Sequence, residues 1–462
     1  MALKHSRKMG MARWLILVLA TGLVCGCTLP AKKRDAVEFQ KTGDQPARTP
    51  IYKHGGWIIA RGTMHNHTIY SDGCRAPEDL LALAQAEGMA VLAFNDHREN
   101  KMCLGNPGLI CLQNGGIEKV GYEAYFDRLQ KVREAALGQS VIVLKGIEAA
   151  PFLYNEGKFP NVVIRESYNH FTVYALDDPA VLAAMPTRNF MTIKPETDPG
   201  EAPFQEFVDY ITGQGGMVFA AHVEDWGDDW VGPVHSVTPA PIRNLMLKDL
   251  TGFAVLPDAW GEKTGGPGGL WDVALAKYMM GMASKPLWAD GDADYHGPKG
   301  SLATATTLFY MKEFTEEEVY RCMREGRMVA LQGEEFQDSY VSEWWVSDSE
   351  PPDNPVMLGR EVYLQGPPIV RFALDHPVAG SRVRLIRNGA VVLEQPGVEF
   401  TFVDEQAGTG REPCFYRVEV IGPHKPGGRD YDLPTMPETE LFVNPIFAHF
   451  STAGEEKSPA RQ

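Results

Sequence analysis

Cysteine is sparse, seven residues in 462, and no two fall in the C-x-x-C spacing that cysteine zinc sites favour. No G-x-S-x-G run occurs, and no cysteine is paired by motif with a histidine, so the sequence offers no candidate for covalent catalysis by a side chain. Positive charge is also short: 44 Lys and Arg stand against 60 Asp and Glu, a formal charge of −16. Such a surface repels polyanions, and no nucleic-acid partner is expected. The apolar run at 14–24 is too short for a membrane span. It follows Lys4, Arg7, Lys8 and Arg13 and has the length of a signal-peptide core.

Val24-Cys25-Gly26-Cys27 has the form of a bacterial lipobox with Cys27 as the acylated residue. Residues 1–26 are therefore expected to be a signal peptide, and 27–50, polar and proline-containing, a lipidated flexible tether. The chain is expected to be exported and lipid-anchored on the periplasmic or cell-surface side of a bacterial membrane, touching it through the lipid only. The remaining length suits two domains. Cys103 and Cys111 bracket a loop and are positioned to close a disulfide in an oxidising compartment, whereas Cys74, Cys322 and Cys414 have no evident partners.

Function is concentrated in Gly62-Thr63-Met64-His65-Asn66-His67-Thr68-Ile69-Tyr70-Ser71-Asp72-Gly73. On an extended segment His65 and His67 project to one face. Further candidates follow in Asn95-Asp96-His97, Gly146-Ile147-Glu148, Asn169-His170, Ala220-Ala221-His222 and Asp290-Gly291-Asp292-Ala293-Asp294-Tyr295-His296. Short apolar runs at 90–94, 141–144, 217–221 and 286–289 read as buried strands, each delivering a ligand-type residue at its C-terminal end. Barrel enzymes carry their chemistry there. Amphipathic helices are predicted from Pro77 to Gly88, from Tyr122 to Gly138, around Phe204–Ile211 and Leu270–Lys277, and from Thr315 to Gly326. Alternating strand and helix implies parallel strands and an α/β barrel. The run at 162–164 is expected to pair with 171–176 as a hairpin. Beyond 334, alternating segments and the Asn388-Gly389 turn predict a smaller antiparallel β-sandwich, with Arg360, Arg371 and Arg417 on solvated strand faces.

The motifs HNHTIYSDG, NDH, GIE, NH, AAH and GDADYH resemble, in order, those of the PHP (polymerase and histidinol phosphatase) family of metal-dependent hydrolases. The likeness spans roughly 58–333, and segments near 384–389, 415–418 and 443–446 look like its CehA/McbA branch. It implies a distorted seven-stranded barrel over 51–333, followed by the sandwich at 334–462, and two to three divalent ions, Mn, Zn or Fe. By this resemblance His65, His67, Glu148 and Asp292 hold one ion, and Glu148, His170 and His222 a second. Asp72 and His97 serve a third, with either Asp294 or His296 standing where the family has histidine. Asp96 is expected to orient His97 from behind. Hydrolysis by a metal-activated water follows, with phosphoester cleavage favoured and carboxylester, carbamate or amide cleavage as the alternative. A different class is a catalytically inactive, metal-containing surface lipoprotein that binds glycan or protein. A small-molecule or oligomeric substrate would enter at the barrel mouth, with Arg98 as a bidentate donor and Trp226, Trp230 and Trp260 as stacking surfaces. Cys27→Ser is expected to eliminate lipid labelling in cells; retained labelling would exclude Cys27 as the anchor.

Overall fold

The computed structural model describes residues 51–104, 110–138, 140–158, 161–231, 234–257, 259–298, 300–423 and 439–450. The expected signal peptide, tether and Cys27 lie outside them. The fold is mixed α/β, built on several sheets and few helices. The largest sheet runs Ala390–Pro396, Arg382–Arg387, Cys414–Ile421, Thr439–Phe450, Met328–Gln332, Ala305–Met311, Trp57–Thr63, Val91–Phe94, Ile142–Lys145. A second runs Trp288–Gly291, Gly252–Leu256, Met217–Ala220, Phe171–Tyr174, Ile147–Ala149.

Two glycines bring these sheets together. Gly146 separates Ile142–Lys145 in the first sheet from Ile147–Ala149 in the second. A Cβ there would stand 2.7 Å from both Asn95 Nδ2 and Val173 O, so only glycine lets the chain cross. At the other end, a Cβ on Gly291 would lie 2.3 Å from Thr306 O. The Thr307 hydroxyl and the Gly291 backbone bond each other twice at 2.9 Å. Between the sheets lies an apolar core that includes Leu92, Phe94, Leu144, Phe171, Phe219 and Phe253.

The expected helices form at Pro77–Ala86, Tyr122–Ala136, Ala202–Gly213, Leu270–Met279 and Glu316–Glu325. Thr315 caps the last by accepting from Glu318 N at 3.3 Å. The Glu318 carboxylate turns instead to Lys312 N and Arg327, so it does not return the bond to the Thr315 backbone that a Thr-x-x-Glu start would allow.

Three expectations are corrected. The sheets are not wholly parallel: Phe171–Tyr174 runs antiparallel to both neighbours, and Ala305–Met311 is antiparallel to Trp57–Thr63. The 162–164 run does not pair with 171–176. Val163–Arg165 joins Tyr154–Glu156 and Val234–Thr238 in a separate four-stranded sheet. Arg417 is not a solvated face. It is fully buried, bidentate on Asp272 at 2.6 and 2.7 Å, with Glu419 at 2.5 Å.

Asn388-Gly389 joins Arg382–Arg387 to Ala390–Pro396 with φ of 48° and 84°, both positive as a type I′ turn requires. A three-stranded sheet of Val341–Ser347, Ile369–Leu374 and Glu399–Val403 shares a second core, including Trp344, Phe372, Leu385 and Val418, with the end of the large sheet. Because Met328–Gln332 pairs with Thr439–Phe450, hydrogen bonding continues across residue 333. Cys103 and Cys111 are Cα partners across a hairpin; their side chains lie outside the described residues.

Arg417 joins a late strand to the helix Leu270–Met279, and removing it leaves the buried Asp272 without its cation and Glu419 with Arg384 alone, at 3.7 Å. Arg417→Ala is expected to lower unfolding free energy by about 3–5 kcal/mol, read by chemical denaturation. An unchanged midpoint would show that this pair does not brace the fold.

Candidate metal centre

The expected ligands reach one end of the sheets from several separate segments. His65 and His67 follow Trp57–Thr63, His97 follows Val91–Phe94, and His222 follows Met217–Ala220. Asp292 and Asp294 follow Trp288–Gly291, and Glu148 lies within Ile147–Ala149. His170 precedes its strand. Because Phe171–Tyr174 runs opposite to its neighbours, its start lies where theirs end.

Glu148 is the centre. It is fully buried, and five histidines approach its two oxygens. His65 Nε2, His170 Nδ1 and His222 Nε2 lie 3.1, 3.0 and 3.3 Å from Oε1. His67 Nε2 and His97 Nδ1 lie 3.4 and 2.6 Å from Oε2. Burial alone would raise this carboxyl's pKa; His170, His65 and His97 hold it well below the ordinary range. Burial and the neighbouring His97 lower His67 to about 3, keeping it neutral.

The hydrogen bonds behind the rings fix which nitrogen faces inward. Ser71 donates its hydroxyl hydrogen to Asp96 at 2.6 Å, so its oxygen must accept from His67 Nδ1 at 3.2 Å. His65 Nδ1 is held by Asp292 Oδ2 at 2.7 Å. His296 Nδ1 donates to the Asp294 carbonyl at 2.9 Å, since a carbonyl only accepts. All three therefore turn Nε2 toward carboxylates: Asp294 Oδ1 lies 3.3 and 3.2 Å from the Nε2 of His65 and His67, and Asp72 Oδ1 is 3.3 Å from that of His296.

Three sets of potential ligand atoms lie close enough to share an ion: His67, Asp72, His97 and His296; His65, His67 and Asp294; and His97, Glu148 and His170. His65 Nε2, His67 Nε2, His222 Nδ1 and Asp294 Oδ1 are buried without a hydrogen-bond partner. Against burial, which lowers them, Glu148 and the neighbouring aspartates raise His65 and His97 well above the ordinary imidazole range and His222 to about 9, so the desolvated cluster calls for positive charge between its donors. Nitrogen and carboxylate oxygen donors suit divalent Zn, Mn or Fe, so these residues fit such ions. His65, His222 and Asp294 also hold positive φ of 59°, 30° and 41°. That backbone is uncommon for non-glycine residues and gathers at functional sites.

Asp294 and His296 are both brought to the cluster, beside different partners. Asp292 is placed as a brace: one oxygen takes His65 Nδ1 and the other accepts from Asp294 N at 3.1 Å. Asp96 does not reach His97. Its oxygens accept from Thr68 N, Thr68 Oγ1 and Ser71 Oγ, so it steadies the loop that carries His67. Arg98 is no open donor either: it is 6% exposed and bonds Tyr122, Glu99 and Glu118 at 2.7–3.0 Å. Thr68 and Ser71 were not singled out as candidates, although they stand inside the first motif.

No family model matches the chain, and no curated protein matches it. Among solved structures, a two-domain protein from Bacteroides vulgatus containing a predicted PHP-like metal-dependent phosphoesterase aligns over 87% of this chain and 100% of its own, at 13% identity and TM-score 0.40. A proposed metal-dependent phosphoesterase from Bifidobacterium adolescentis aligns over 52% of this chain and 90% of its own, at 15% identity and TM-score 0.29. An amidohydrolase from Chromobacterium violaceum, with bound sulfate and no metal, aligns over 58% of this chain and 96% of its own, at 16% identity and TM-score 0.30. Likenesses this loose carry no argument about this chain's chemistry, which rests on its own residues.

His65→Ala and Glu148→Ala are each expected to lose bound metal while keeping the wild-type circular dichroism spectrum. Asp294→Ala is expected to lose about one ion, as removal of one member of a multimetal clamp should. Elemental analysis of the purified proteins checks this, and wild-type metal content in all three would refute the centre.

Proposed function

We propose that the chain is a metal-dependent hydrolase, a phosphoesterase of the PHP type, acting through water rather than a protein nucleophile. The observation that supports it most is the convergence of five histidines on the buried Glu148, with His65 Nε2, His67 Nε2 and Asp294 Oδ1 turned into the cluster without a hydrogen-bond partner. On this reading the two sheets meeting at Gly146 and Gly291 are the wall of the distorted barrel. His65, His67, His97, Glu148, His170, His222, Asp72, Asp294 and His296 would hold two to three ions, with Asp292 and Asp96 as braces. Such ions, when bound, supply acidification of water and neutralisation of charge on the oxygens of the scissile group.

The residues themselves set direction and access. Glu148, His65 and His67 have side chains with no exposure and form the floor. Asp72, Asp294 and His296 are 42%, 37% and 33% exposed and form the rim, so substrate arrives over them. The Nδ1 hydrogen bonds of His65, His67 and His296 hold each ring against rotation, so orientation is set before substrate arrives.

Purified protein assayed on an aryl phosphate, a bis-aryl phosphodiester and an aryl ester tests this reading. Phosphoester turnover is expected to fall at least about a hundredfold on chelation and to return with Mn²⁺ or Zn²⁺. Hydrolysis indifferent to chelation would overturn the proposal. Turnover of the ester alone would move the reaction to the carboxylester or amide class.

A further inference from the structure

The hairpin Gly227–Val231 and Val234–Thr238 begins five residues beyond His222, beside the metal centre. Its strands alternate faces. One face is fixed to the segment that carries His170: a Cβ on Gly227 would meet the Tyr168 ring at 2.5 Å, and Tyr168 donates to Asp229 Oδ2 at 3.0 Å. Ser236 and Ser167 hydroxyls lie 2.6 Å apart, and Thr238 Oγ1 accepts from Tyr168 N at 3.1 Å. The Tyr168 ring is 6.3 Å from that of His170.

The opposite face carries Asp228 and Trp230, with Trp226 just ahead. Trp226 and Trp230 are 70% and 68% exposed, among the most exposed large apolar side chains described. One side of Trp230 is already used, stacked on His235 at 4.7 Å and 6°, with Asp228 against the far nitrogen of that ring. Residues 223–242 include Glu224, Asp225, Asp228 and Asp229 and no Lys or Arg. The hairpin thus pairs exposed indoles with several carboxylates, while the one arginine on the same face, Arg165 two strands away, is held by Glu156 at 3.0 Å. An anion is repelled by such a surface, and a neutral apolar partner gains nothing from the carboxylates. A weakly hydrated organic cation gains from both, through the ring quadrupole and through Coulomb attraction.

We propose that this outer face binds a small quaternary ammonium group, with the indoles of Trp226 and Trp230 and the carboxylate of Asp228 as its receptor. Binding as such does not depend on the hydrolase reading.

Choline, with 3,3-dimethylbutan-1-ol as its neutral isostere, is the probe, titrated at constant ionic strength against the full chain with chelator present and read by tryptophan fluorescence and calorimetry. Saturable binding of choline and not of the alcohol is expected. Affinity should fall about tenfold in Trp230→Ala and in Trp226→Ala, stay near wild type in Trp230→Phe, and weaken as salt screens the carboxylates. Equal response to both probes, or affinity unchanged in both alanine variants, overturns the proposal. Because the readout needs neither metal nor turnover, choline binding with no hydrolysis on the ester panel would leave this face standing. Metal-dependent hydrolysis without choline binding would remove this inference alone.

Discussion

A carboxylate with no solvent exposure is the constraint around which the structure is arranged. Taking such a charge out of water costs several kcal/mol even after relaxation, and Glu148 recovers that only through what surrounds it. Its neighbours come from segments after the Trp57–Thr63, Val91–Phe94 and Met217–Ala220 strands and from the start of Phe171–Tyr174. The centre therefore exists only once both sheets have met. Gly146, two residues before Glu148, carries the chain from one sheet to the other.

Around that carboxylate the chain accepts local cost. Three of the gathered residues adopt left-handed backbone, and several inward atoms lack partners. Such features persist where surrounding structure over-determines them. Asp292 fixes His65 and the backbone of Asp294 together, while Asp96 acts on His67 through Ser71. Under His170, Glu166 binds Asn169 and Arg243, and Asn244 binds Asn169. The rings of His65, His67 and His296 are held from behind, which turns their Nε2 atoms inward.

Strand ends that deliver His, Asp or Glu were legible because a buried strand is a short apolar run and a ligand at its end breaks that run. Helix limits at Pro77, Thr315 and Gly326 were legible for the same local reason. Strand direction was not, since it depends on partners distant in sequence; the odd position of His170 before its apolar run was the one trace of the antiparallel strand. Arg417 read as an ordinary strand cation because nothing local indicates Asp272, 145 residues away. Asp96 and Arg98 were assigned to their chain neighbour and to substrate, whereas folding gave each a bonding network from other segments. The choice between Asp294 and His296 could not be made from spacing, and the turn between them sets the two beside different partners.

The central claim is that Glu148 and its histidines are arranged for cations and are not a self-sufficient ion-pair cluster. A crystal structure of protein grown with Mn²⁺ or Zn²⁺, with anomalous maps collected across the metal edge, addresses it directly. The account predicts anomalous peaks beside Glu148, with histidine nitrogen and carboxylate oxygen at roughly 2.0–2.2 Å as for zinc. A map without such peaks, with Glu148 closed directly onto protonated histidines, would contradict it.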